Sequence, residues 1–140
     1  MRTRLVPYFS LLVAATIAAA ACGPKKASGA GAVSVTEIEL GRSLKPDLQI
    51  DEKAADFRPV DVIYLSVETK GSGPAMLGTR WTYQDNQVVN ESSRTISPNG
   101  NEPARTEFHI SKPEGLPAGK YHVVVILNGT TAGEKDFEVK

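Results

Sequence analysis

From residue 33 onward, apolar and polar positions alternate with a period of two, the rhythm of strands that bury one face. Val33 and Val35, followed by Ile38 and Leu40, mark a first strand. Residues 61–69 (DVIYLSVET) predict a second, with Ile63, Leu65 and Val67 on one face. Residues 75–84 predict a third, which sets Leu77, Thr79, Trp81 and Tyr83 against Gly78, Arg80 and Thr82. A shorter strand returns over residues 88–92, and another over 105–110 turns Phe108 and Ile110 inward and His109 outward. Residues 120–128 are the strongest strand signal, and a last strand runs to Phe137 and Val139. Residues 41–59 read as a long polar connection with an edge strand near residues 48–50. Turn chemistry separates these runs: Gly71-Ser72-Gly73-Pro74, Asp85-Asn86, residues 97–101 (SPNGN), and Asn128-Gly129, a pair suited to a type I′ hairpin. No stretch sustains a 3.6-residue apolar repeat, so helix is expected to be nearly absent.

About seven short antiparallel strands with turns every 8 to 12 residues or so point to an all-β sandwich; a small β-barrel is the alternative architecture. Trp81 sits in the middle of the third strand. Residues 115–125 (GLPAGKYHVVV) place a loop, a glycine and Tyr121 ahead of the strongest strand. Both features resemble immunoglobulin-like and fibronectin type III-like domains. There a core tryptophan lies on the third strand, and a tyrosine leading into the sixth binds nearby backbone through its hydroxyl. The resemblance covers residues 33–140 in pattern, and only Trp81 and residues 115–125 in specific motif. The one cysteine excludes a disulfide across the sheets, so the domain is not of the antibody type.

Residues 1–21 have a different character. Arg2 and Arg4 precede an uncharged apolar run that shrinks to Ala18, Ala19, Ala20 and Ala21, directly before Cys22. This is the layout of a secretory signal. Ala19-Ala20-Ala21-Cys22 resembles the lipobox of bacterial lipoproteins, a family that favours leucine where this chain has Ala19. Ordinary cleavage after an Ala-x-Ala, leaving a free thiol, is the alternative. The resemblance implies lipidation at Cys22, a permanent membrane anchor and a place in the cell envelope. Gly23, in place of the aspartate that resembles an inner-membrane retention signal, leans toward the outer membrane, facing the periplasm. Residues 22–32 then form a polar, Gly- and Ala-rich tether with a reach of roughly 15–20 Å.

Charge adds little. Acidic and basic residues number 16 each; without Arg2 and Arg4 the mature chain would carry 14 basic and 16 acidic residues. Such a surface has no electrostatic grip on DNA or RNA, so no nucleic-acid partner is expected. No Ser-His-acid set or carboxylate pair stands out, and neither enzyme activity nor a cofactor is expected. His109 and His122 could share a metal only if their strands were neighbours joined by a carboxylate. Asp47, Asp51, Glu52, Asp56 and Asp61 crowd one stretch, but Lys45, Lys53 and Arg58 interleave and no EF-hand spacing appears, so a solvated loop is expected. Asn90-Glu91-Ser92 and Asn128-Gly129-Thr130 match the glycosylation triplet by chance. The strongest strand is apolar on both faces: Tyr121, Val123, Val125 and Leu127 point one way, and His122, Val124 and Ile126 the other. Val62 and Tyr64 show the same excess. Val62, Tyr64, His122, Val124 and Ile126 are therefore the candidate partner surface, with the loops at residues 92–105 and 71–75 as further recognition elements. The expected role is binding or accessory, toward another envelope protein. The alternative is an inhibitor of a protease or lysozyme, or a lipoprotein that binds a small ligand or glycan.

Overall fold

A computed structural model describes residues 32–140; the signal, Cys22 and nearly all of the tether lie outside the described residues. Nine strands follow one another: β1 (Ser34–Leu44), β2 (Ile50–Lys53), β3 (Asp56–Phe57), β4 (Ile63–Lys70), β5 (Ala75–Tyr83), β6 (Gln87–Ile96), β7 (Ala104–Ile110), β8 (Gly119–Leu127) and β9 (Thr130–Val139). They form two sheets, ordered β2-β1-β4-β7 and β3-β9-β8-β5-β6. The sheets remain open, so the molecule is an antiparallel sandwich and not a barrel; only the short β3–β9 pairing is parallel. No helix occurs among the described residues.

The alternating pattern places the core as expected. Ile63, Leu65, Val67, Phe108 and Ile110 from the first sheet face Leu77, Trp81, Tyr121, Val123, Val125, Phe137 and Val139 from the second, all buried. Each such side chain taken out of water contributes about 1.5–3 kcal/mol for aliphatics and Phe. Trp81 is fully buried: its indole N–H donates to Thr79 Oγ1 at 3.1 Å, and its ring meets Phe137 edge-on with centroids 5.9 Å apart. The Asn128-Gly129 pair makes the expected two-residue hairpin, with φ of 49° and 81°, both in the left-handed region a type I′ turn requires.

Two stretches differ from the sequence reading. Residues 41–59 are not one polar connection. β1 continues to Leu44, bulges between Gly41 and Leu44, and pairs with β2, the expected edge strand, which starts at Ile50 and runs on to Lys53; β3 then crosses to the second sheet. β2 has one apolar residue and β3 is two residues long, so alternation marks neither the reach of β2 nor the presence of β3. The strand expected over residues 88–92 is the ten-residue β6, and the loop before β7 shrinks to residues 97–103. Its residues 90–96 pair with β5 in unbroken register.

The chain enters the sandwich at one end. Ser34 pairs with Lys70, and the Ala32 carbonyl lies close against Gly71, where φ of 111° and the lack of a side chain both suit glycine. The segment between Ile110 and Gly119, the end of β5 and the start of β6 lie at the opposite end.

Candidate binding surfaces

Tyr121 begins the inward face of β8. Its hydroxyl donates to the Pro117 carbonyl at 2.7 Å, and burial pushes its pKa up. Its ring stacks on Phe137 at 5.1 Å and leans on Tyr83 at 4.8 Å. The Tyr83 hydroxyl donates to the next carbonyl, Ala118, at 2.8 Å. Two phenols thus pin the loop before β8, and Leu116 N–H donates to the Pro59 carbonyl at 2.7 Å to hold its other side.

Beside this pinned loop a cleft of about 320 Å³ opens between the ends of β6 and β7. Tyr83, Tyr121, Leu116 and Ile110 supply apolar walls, with Asn90, His109 and Lys112 among the polar lining. Among the described residues, no carboxylate lines it. That size and mixture suit one side chain or a small molecule. The cleft was not legible in the sequence, because it depends on Asn90 of one sheet standing opposite His109 of the other.

The five residues of the expected partner surface divide between the two outer faces. Tyr64 lies on the outside of the first sheet, its ring 5.7 Å from that of His109, and Val62 precedes β4. His122, Val124 and Ile126 lie on the outside of the second sheet, opposite Thr82, Arg80 and Gly78 of β5. All five are half-buried. Arg80 pairs with Glu91 beside Val124, so the apolar strip on β8 is partly covered. His122 hydrogen-bonds Asp136 through Nδ1, with Nε2 3.2 Å from Glu134; the Asp136 bond, then Glu134, raises its pKa against its partial burial. His109 instead contacts Glu107. β7 and β8 belong to different sheets, so the two histidines are not neighbours, and no group of side chains able to hold a metal occurs among the described residues.

The acid-rich stretch is organised by cations. Asp61 accepts the Arg58 backbone N–H at 2.9 Å and bonds from the Arg58 and Arg42 guanidinium groups. That backbone bond first, and the guanidinium groups after it, lower the Asp61 pKa despite burial. Arg42 also holds Glu52 and the Asp56 carbonyl, Asp56 meets Lys140 at 3.2 Å, and Asp47 accepts the Gln49 N–H. The loops at 71–74 and 97–103 meet through a bridge between Ser72 and Asn99, at the end where the chain enters.

No protein-family model matches the chain, and no curated protein matches it. An immunoglobulin-like protein from Pseudomonas aeruginosa, of solved structure, matches 80% of this chain over 100% of its own, with a TM-score of 0.53 and 17% identity. The fold is immunoglobulin-like. An alkylpurine DNA glycosylase from Pseudomonas fluorescens, bound to DNA with an abasic-site analogue, matches 77% of the chain at a TM-score of 0.49 and 18% identity; this chain spans 30% of its length. A β-glucosidase from Listeria innocua, in complex with glucose, matches 74% at a TM-score of 0.49 and 13% identity, over 16% of its length. At such identities the likeness is one of fold.

Proposed function

We propose that this chain is a lipid-anchored protein of the bacterial cell envelope, held in the outer membrane through Cys22, whose immunoglobulin-like domain binds another envelope protein without catalysing a reaction. The observation that supports this reading most is the placing of the two ends. The chain arrives at the Ser34–Lys70 end, and the cleft opens at the other, one strand length away, or roughly 25 Å. A domain tethered at Cys22 would present that cleft away from the membrane. The cleft also favours a second reading, a lipoprotein that binds a small ligand.

Intact mass of the protein extracted from its native membrane, with Cys22→Ser beside it, tests the anchor. A chain that begins at Cys22 and carries acyl groups is expected, with the variant released to the soluble fraction. A mass without acyl groups would overturn the anchored reading.

A further inference from the structure

The four strand edges of the sandwich are not protected alike. β2 is four residues long and charged, and β3 has two residues. The β9 edge is closed at its end by β3, and the stretch beside it carries Glu134, Lys135 and Asp136, charges that blunt an open edge. β7 is seven residues long and carries Arg105, Glu107 and His109, and Arg94 reaches across to its Phe108 ring at 5.3 Å. β6 has ten residues, nine of them exposed; it contains neither proline nor lysine, its Glu91 is held by Arg80 and its Arg94 by the Phe108 ring, and its one bulge lies at Val89, which leaves residues 90–96 in regular pairing. Its free side is a row of backbone donors and acceptors roughly 33 Å long.

We infer that β6 is a docking edge: an extended segment of a partner protein adds to it as a further strand, with an apolar side chain in the cleft beside Tyr83 and acidic side chains toward Arg94 and Lys112. The inference rests on the binding-module reading above. In strand addition the main chain supplies affinity, and pockets for alternate side chains supply specificity. Here both parts are contiguous, because Asn90 belongs to β6 and lines the cleft, and Val89, 40% exposed at the bulge of the strand, stands at its rim. Charge selects the segment. Arg94 lies on the inward side of β6 over the Phe108 ring, Lys112 lines the cleft, and neither forms a salt bridge with another of the described residues. The acid of this strand, Glu91, is turned to the outer face and held by Arg80.

The test places a photo-crosslinking residue at Val89, Val124 or Tyr64 of the full-length, membrane-inserted protein, one position at a time, and maps the residues captured. The captured segment is then made as a peptide, with and without N-methylation at alternate residues, and titrated against the detergent-solubilised protein and its Arg94→Glu variant. Capture from Val89 of an extended segment with an apolar residue flanked by Asp or Glu is expected. Slowed hydrogen exchange across residues 87–96 should accompany peptide binding. About tenfold weaker binding is expected on N-methylation, and again in Arg94→Glu. Capture from Val124 or Tyr64 but not Val89 would overturn the edge and leave the binding module standing. No capture from any of the three would remove both. Capture of a second copy at Val89, or affinity indifferent to N-methylation, would also overturn the edge.

Discussion

Replacing Tyr121 by phenylalanine removes one oxygen and leaves its ring contacts with Phe137 and Tyr83 in place. What is lost is the 2.7 Å bond to the Pro117 carbonyl, made by a side chain only 2% exposed. A typical internal hydrogen bond contributes about 0.5–1.5 kcal/mol net. Because Pro117 is itself exposed, its carbonyl can recover a water molecule, so the larger penalty of an orphaned acceptor does not apply. The expected loss is therefore about 1 kcal/mol. Tyr83→Phe removes a similar 2.8 Å bond from a half-buried ring that water reaches more readily, and should cost about half as much. Trp81 is the sole tryptophan and is fully buried, so its emission reports unfolding without a label. Urea titration of the Cys22→Ser chain should show the midpoint of Tyr121→Phe lowered by roughly 0.5–1 M with an unchanged slope. A loss no greater than that of Tyr83→Phe, or an altered slope, would refute the view that the buried phenol pins the loop before β8.

Gly41→Ala should cost about 1–3 kcal/mol, because a Cβ there would press on the Glu52 carbonyl and on Ile50, backbone and core that cannot swing aside; thermal melting checks this. Asp61→Asn should cost about 1–3 kcal/mol at pH 7 by weakening its charged hydrogen bonds. Asp61 has a lowered pKa in the folded chain, so its contribution is present above the unfolded value of about 3.9 and is lost as pH falls through the folded value; the variant should flatten that acid limb. For His122 the sign is opposite. Its raised pKa gives stability that is complete below about pH 6.5 and lost as pH rises through the folded value, so His122→Gln should narrow the difference in urea midpoint between pH 5.5 and 8.5. An unchanged difference would exclude the Asp136 contact as its source.

Some residues declare their surroundings locally. Tyr121 and the glycine before it, Trp81 within an alternating run, and Asn128-Gly129 each combine a local conformation with a side chain that only one environment satisfies. β6 is the contrary case. Its inward positions, Asn90, Ser92 and Arg94, are as polar as its outward ones, and both sets are exposed. A strand wet on both sides has no hydrophobic period to read, so pattern alone marks only about half of its length. Asp61 reads as one acid among several until folding brings up Arg42, nineteen residues away in sequence. Tyr64 and His122 share an exposed-apolar signature, but alternation tells only which side of its own strand a residue occupies. Which sheet holds the strand is decided by pairings across the whole chain.

The way β1 joins its neighbour has a mechanical consequence. The strand begins at the end where the chain enters and runs antiparallel beside β4 from the Ser34–Lys70 pair to the Gly41–Tyr64 pair. A tug between a membrane anchor and a partner held at the far end would draw β1 lengthwise along β4. Every rung of that ladder would then carry the load at once, as in a lap joint, and none would open singly like the teeth of a zipper. If the domain is tethered as proposed, it would bear tension through β1 in this way.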